Sequence, residues 1–299
     1  SSPHYAMLLG SAFAASNVLA ILVVLALGWF DSGFSGLDSI ETLGPIRSFG
    51  LIPEVGRRKR PLQLLTDAPI TQYPEAVHSV HTALQRSMSG DLPVQAFAAA
   101  QSRIFLVTSA LPGEGKSVFA ASLAQSMALA GKRTLLIDGD LRRPSVARLF
   151  NDDNPRELGE SLARSRDLSE LVATDVASGL SYIAVRKERG NIAALLNSQQ
   201  LQLLLREARD RYENIVIDTP PLFAVSDAIV LSQFADATLL AVRWEHTPRA
   251  VIHHALKILR NNEVRLAGVL LTRVNMRKHA RYKYGDSAYF HAKHARYYS

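Results

Sequence analysis

The sequence predicts an α/β fold on a doubly wound, mostly parallel sheet, and three observations carry that expectation. From Arg103 onward, short continuously apolar segments alternate with longer stretches of helical period. Strands apolar on both sides suit a sheet covered by helices on both faces, the usual state of parallel sheets. The first such segment, Arg103-Ile-Phe-Leu-Val-Thr-Ser109, runs straight into the loop Ala110-Leu-Pro-Gly-Glu-Gly-Lys-Ser117 and then into a helical pattern.

In chain order, the first expected helix is amphipathic and covers Pro74 to Ser89. Pro stands at its start, Glu75 in its first turn, and Val77, Val80, Leu84 and Met88 along one side. A second covers Lys116 to Ala130, with Val118, Phe119, Leu123, Met127 and Leu129 apolar and Gly131 as its stop. Strands are expected at Arg103–Ser109, Arg133–Asp138, Leu180–Val185, Asn214–Asp218, Thr238–Val242 and Leu266–Thr272. Further helices are expected at Ser198–Arg211 and Pro248–Asn261. No internal repeat interrupts this alternation.

Before the domain the composition changes. Tyr5 to Phe30 contains no charged residue and no His, and its centre reads V-L-A-I-L-V-V-L-A-L. As a helix these residues span about 39 Å, enough for a hydrocarbon core of about 30 Å with tilt. Trp29 and Phe30 suit one interface, and the absence of a basic leading region argues against a signal peptide. We therefore expect a transmembrane helix at 5–30. The basic run Arg57-Arg58-Lys59-Arg60 on its C-terminal flank places that side in the cytoplasm. Asp31 to Gln72, rich in Gly, Pro and Ser, reads as a juxtamembrane linker whose Arg57–Arg60 run either rests on anionic lipid or is simply solvated. The chain begins without Met directly ahead of the apolar stretch, as expected for the C-terminal part of a longer protein.

With 299 residues the chain can hold one medium α/β domain plus appendages. Its lack of cysteine excludes disulfides and thiolate metal sites. The formal charge of +7 is concentrated at the end: Arg273 to Ser299 holds seven Lys and Arg against Asp286 alone. A protein that coats nucleic acid with its whole surface would distribute its charge differently.

The loop at 110–117 fits a phosphate-binding loop, with Ala in place of the usual opening Gly. Its nucleotide-binding set is Gly113, Glu114, Gly115, Lys116, Ser117 and Val118. The glycines allow the backbone angles that turn consecutive N–H groups inward, Lys116 places a charge on the outer phosphates, and the Ser117 hydroxyl can hold Mg²⁺. Two later strands end in carboxylates, in Leu135-Leu-Ile-Asp138-Gly-Asp140-Leu-Arg142-Arg143-Pro144 and in Ile215-Val-Ile-Asp218-Thr-Pro-Pro221. In a doubly wound sheet ligands sit beyond the C-terminal strand ends, so Asp138, Asp140 and Asp218 converge beside Lys116 and Ser117. Turn or capping roles are the competing reading for these acids. One of the pair Asp138 and Asp140 can hold metal while the other takes a proton. Whether Arg142 and Arg143 reach phosphate or cover the surface stays open.

S-A-L-P-G-E-G-K-S, L-I-D-G-D-L-R-R-P and V-I-D-T-P-P, in this order, closely resemble the bacterial tyrosine kinases, P-loop autokinases close in fold to the MinD/ParA ATPases. S-D-A at Ser226–Ala228, E-A at Glu75 and G-V-L-L-T-R-V at Gly268–Val274 extend the resemblance, which covers about Gly50 to the C-terminus. It implies ATP and Mg²⁺, catalytic roles for Lys116, Asp138 and Asp140, and metal contacts from Ser117, Asp140 and Asp218. It implies a P-loop kinase domain over 73–273 and a Tyr-rich flexible tail over 274–299. Five of the nine tyrosines, Tyr282, Tyr284, Tyr289, Tyr297 and Tyr298, lie in that tail. In the family such tyrosines are autophosphorylated in a neighbouring subunit's active site. Interleaved Arg, Lys and Tyr also suit single-stranded nucleic acid, but a P-loop with two acidic motifs and a span favours the substrate reading, with no nucleic acid partner.

The resemblance further implies an inner-membrane protein with a cytoplasmic catalytic domain, controlling exopolysaccharide or capsule polymerisation and export. Its expected partners are copies of itself in a ring, a cognate tyrosine phosphatase, the polysaccharide polymerase and export machinery, and membrane lipid. Leu111, where MinD/ParA proteins usually carry an extra lysine, favours the kinase branch over a MinD/ParA-like switch without tyrosine transfer. Three departures stand out. His78 and His81 replace the arginines of E-x-x-R-x-x-R, so a ring is expected to be weaker, or pH-dependent near 6.5. Thr272 stands where relatives often have Asn near the base. Gly190-Asn-Ile-Ala-Ala-Leu-Leu replaces a more Pro-rich segment.

Overall fold

The computed structural model describes residues 46–56, 59–67, 71–89, 102–164 and 167–282, together with Ser16. Among these residues eight strands form one sheet: β1 Ser48–Pro53, β2 Arg103–Ser109, β3 Thr134–Asp138, β4 Ala173–Thr174, β5 Ser181–Ile183, β6 Asn214–Asp218, β7 Ala237–Arg243 and β8 Leu266–Val274. Their order is β1-β8-β7-β2-β6-β3-β5-β4, and every pairing except β4 with β5 is parallel. The predicted strands are present to within a few residues, and the short antiparallel β4 is an addition that the apolar pattern did not signal.

Strand alternation assigns each side chain to a layer. Phe105 and Val107 of β2 face helices Gln72–Ser89 and Lys116–Leu129, packing with Val77, Val80, Leu84, Phe119, Leu123 and Met127. Ile104 and Leu106 face the other way, onto Leu201, Leu204, Leu205 and Ala208 of helix Gln199–Arg211. Leu240 and Val242 of β7 meet Ile252, Ala255 and Leu259 of helix Arg249–Asn261. Each large side chain buried this way contributes about 1.5–3 kcal/mol relative to exposure, so the two-sided cover is what stabilises the parallel sheet.

Two expectations about the domain's limits are corrected. The stretch read as linker up to Gln72 supplies edge strand β1, which pairs with β8, and helix Pro61–Asp67, which buries Leu62 and Leu65. The close approach depends on Gly268, where a Cβ would lie 2.2 Å from the Arg47 carbonyl oxygen. The segment read as a flexible tail from 274 begins instead with helix Met276–Tyr282. There His279 is buried in edge contact with Trp244, ring centroids 6.3 Å apart, and Lys278 Nζ lies 2.6 Å from Glu245. The apolar stretch 5–30, except Ser16, and Tyr284, Tyr289, Tyr297 and Tyr298 lie outside the described residues. Among the described residues no helix is long and apolar enough to cross a membrane.

Candidate functional site

The loop between β2 and helix Lys116–Leu129 holds Gly113 at φ 82° and Gly115 at φ 86°, conformations a side chain would strain. Gly115 is the helix N-cap and gives no side-chain bond, so the first-turn N–H groups are left for an anion. Glu114 has its carboxylate turned inward. It accepts hydrogen bonds from Leu111 N–H at 2.6 Å, from Arg243 N–H at 3.4 Å and from the Thr247 hydroxyl. Any contact of Glu114 with nucleotide therefore runs through its backbone, while its side chain braces the loop against the end of β7. Its carboxyl is raised above the usual range by burial, against the pull of these donors.

β3 and β6 are neighbours in register, so Asp138 stands opposite Asp218. Gly139 makes room for this: its N–H donates to the Asp218 carbonyl at 2.7 Å, and a Cβ there would meet that oxygen at 2.8 Å. Lys116 enters from the helix side. Its Nζ lies 3.2 Å from Asp140 Oδ2, 3.3 Å from Asp218 Oδ1 and 3.0 Å from Ser117 Oγ. Burial pulls the ammonium's pKa down, but the two carboxylates outweigh it and hold the value above normal. Asp218, fully buried, is pushed up by desolvation against the Lys116 charge.

Asp138 is bonded differently. Its Oδ2 accepts N–H bonds from Ser145 and Val146, both at 2.8 Å, whereas its buried Oδ1 has no partner among the described residues. Burial first, then the neighbouring Asp218 charge, pushes this carboxyl up to about 7. The site thus combines a fixed cation, two carboxylates on that cation, and a third acid with a spare oxygen near neutrality. Oxygen donors on Ser117, Asp140 and Asp218 around a buried positive charge are also what a hard divalent cation requires, so these residues fit Mg²⁺.

The structure brings Lys116, Ser117, Asp138, Asp140 and Asp218 together, with Gly113, Glu114 and Gly115 along the adjoining loop and Val118 in the first turn of the helix that follows. Val118 and Gly115 border a cavity of about 350 Å³ that also reaches Ile52, Tyr73, Arg243 and Thr272. The Thr272 hydroxyl lies within bonding reach of the Glu114 carbonyl and, at 3.2 Å, of the Val242 carbonyl, so this residue ties the loop to β8. Arg142 is engaged with Asp227, at 2.8 Å from Nε and 3.2 Å from Nη2, which resolves its open role toward the protein and gives S-D-A a purpose. Ser145, whose Oγ lies 3.4 Å from Asp218 Oδ2, was missed because a serine after Arg-Arg-Pro carries no signal of its own.

On helix Gln72–Ser89, His81 is buried. The Gln85 amide donates to its Nε2 at 2.9 Å, and Nδ1 is without a partner among the described residues. Burial, then the nearby His78 and Lys132, lowers its pKa to about 4. The expected titration near 6.5 is therefore corrected for His81.

Residues 105–286 match the family model of the CobQ/CobB/MinD/ParA nucleotide-binding domain. The chain is similar to tyrosine-protein kinase YwqD of Bacillus subtilis, 34% identical over 184 residues, covering 62% of this chain and 78% of that protein. It is similar to putative tyrosine-protein kinase EpsB of Ralstonia solanacearum, 32% identical over 280 residues, covering 90% of this chain. Among solved structures, the kinase domain of Escherichia coli tyrosine kinase ETK superposes with a TM-score of 0.69 at 27% identity, over 79% of this chain and 92% of that one. The chain spans 36% of the length of EpsB.

Proposed function

This chain belongs to the bacterial tyrosine-protein kinases, and from that premise we propose that it transfers the γ-phosphoryl group of ATP to tail tyrosines of a neighbouring copy. The observation that carries this reading is the Lys116 ammonium held between Asp140 and Asp218, with the unspent oxygen of Asp138 beside them. Phosphoryl transfer needs positioning and charge neutralisation more than covalent chemistry, and this arrangement supplies both.

In the proposed step a tyrosine oxygen attacks the γ-phosphorus, the bond to the β-bridging oxygen breaks, and ADP leaves with those electrons. The phenolic proton passes to Asp138, the acid whose pKa of about 7 suits a base at neutral pH. Asp140, bonded to Lys116 and to the Arg143 N–H at 3.0 Å, is better spent on cations. Lys116 and the loop N–H groups hold the transferring phosphates. Mg²⁺ held by Ser117, Asp140 and Asp218 would supply charge neutralisation on the phosphate oxygens.

The acceptors in this reading are Tyr282, Tyr284, Tyr289, Tyr297 and Tyr298. Each phosphate adds nearly two negative charges, so a few reverse the sign of a segment dominated by Lys and Arg. The uncharged stretch 5–30 supports placing the chain in a bacterial inner membrane with the kinase domain on the cytoplasmic side. Exopolysaccharide or capsule assembly as the regulated process, self-association, and a cognate phosphatase follow from family membership.

Incubating the full chain with Mg-ATP tests the reading. Phosphotyrosine is expected in the tail, and Lys116→Met is expected to abolish it. Phosphate release with no phosphotyrosine would instead mark an ATP-driven switch.

A further inference from the structure

We propose that the basic face of helix Arg249–Asn261 lies against the anionic surface of a bilayer and holds the phosphate loop turned away from it. This rests on residues 5–30 being a membrane span. The helix contains no acidic residue. Its inner side, Ile252, Ala255 and Leu259, is buried on the sheet, and its outer side exposes His253, Lys257 and Arg260. Exposed Arg47 and Arg265 extend the same charge; the acids at this end are Glu263 and Asp236, and Asp236 is already paired with Arg209 at 2.9 Å. Among the described residues Arg47, Lys257, Arg260 and Arg265 form no salt bridge.

His253, Lys257 and Arg260 border a groove of about 400 Å³ whose remaining walls are Ile46, Leu256, Val264 and Leu266. An apolar floor with a cationic rim matches a headgroup layer, where aliphatic stems lie on apolar surface and charges meet lipid phosphates. Ile46 is where the chain arrives from the apolar stretch, sixteen residues after Phe30, so this groove is tethered near the bilayer.

The sheet then sets the orientation. β1 and β8 are parallel, so Ile46 and Leu266 lie at the amino ends of their strands. Lys116, Asp138, Asp140 and Asp218 lie at or just beyond the carboxyl ends of β2, β3 and β6, which are parallel to them. A strand of β8's nine residues is about 30 Å long, so the two ends are well separated. Helix Met276–Tyr282, leading to the tail, follows the carboxyl end of β8 and so leaves on the site's side. Lys59 and Arg60 follow the carboxyl end of β1, and Arg60 is already bonded to Asn151 at 3.2 Å. Lipid contact thus belongs to the helix face and not to Lys59 and Arg60.

The chain has no cysteine, so single-cysteine probes are clean. Bimane is attached at Asn261→Cys on the basic face, or at Lys59→Cys at the opposite end, in the full chain reconstituted into nanodiscs carrying nitroxide-headgroup lipid. In phosphatidylglycerol discs the Asn261 probe is expected to be quenched several-fold more than the Lys59 probe. That difference should vanish in neutral discs and in Lys257→Gln/Arg260→Gln, with phosphotyrosine formation unchanged by the double substitution. Equal quenching, or stronger quenching at Lys59, overturns the proposal. Protection at Asn261 that requires ATP and ignores lipid charge overturns it in favour of a docked phosphorylated tail. An alkaline wash separates the premises: a chain retained by lipid but unquenched at Asn261 keeps its span and loses this orientation, and a chain washed off loses both.

Discussion

Two buried carboxylates near the phosphate loop differ in how their oxygens are used, and the difference separates brace from base. Glu114 is 2% exposed and spends both oxygens on three donors from the loop and the end of β7. Asp138 is 0% exposed, spends one oxygen on two N–H groups and leaves the other without a partner among the described residues. Burial raises both. What distinguishes the candidate base is therefore its spare valence, together with a second acid opposite it on β6. The lesson is that a buried acid does chemistry where its hydrogen bonding is incomplete, and holds structure where it is complete.

The harshest challenge to this comparison is Asp138→Asn. It is expected to lower phosphotyrosine formation by about 10²–10⁴-fold while nucleotide affinity changes little. Near-normal transfer would remove Asp138 as base. The pH dependence has a definite sign. Below about 7 Asp138 carries its proton, so the wild-type rate should rise as pH passes about 7 and then level. Stability runs the other way: a carboxyl raised in the fold favours folding while protonated and loses that contribution as pH climbs from its unfolded value through about 7. Asp138→Asn should therefore melt at or above the wild-type temperature at pH 8, a trade between activity and stability that calorimetry can check.

Glu114→Gln probes the brace. An amide cannot accept from both sides, so one donor is left unmet at about 1–3 kcal/mol. Lower melting temperature and several-fold weaker nucleotide binding are expected, with the rate at saturating ATP largely kept. A collapse of that saturated rate would mean that Glu114 takes part in the chemistry after all.

The smallest effect is expected at His81, whose buried Nδ1 is also without a partner among the described residues but whose neighbours His78 and Lys132 oppose its protonation. Its folded-state value, near 4, lies below the unfolded one, near 6.5, so the fold loses stability as pH falls through that window. His81→Leu should flatten the fall in melting temperature between pH 7 and pH 5. An unchanged slope would place the titration elsewhere.

Much of this was legible beforehand because it rests on local chemistry. β2 with its loop, the acid-ended β3 and β6, and helices Gln199–Arg211 and Arg249–Asn261 each follow from apolar runs with a cap or stop beside them. β1 was illegible because an edge strand of mixed polarity has no period of its own and is defined by β8, through the gap left at Gly268. Helix Met276–Tyr282 was hidden likewise, since its anchor Trp244 lies 32 residues before Met276.

By itself the sequence determined the α/β class, the phosphate loop and the acids that end neighbouring strands. These depend on spacing along the chain, which fixes backbone conformation and strand polarity. Only the tertiary structure decided which acid keeps a free oxygen, that Arg142 serves Asp227, that His81 is neutral and which end of the sheet meets the incoming chain. Those properties depend on burial and on partners distant in sequence, because desolvation and hydrogen-bond satisfaction exist only once the layers have packed.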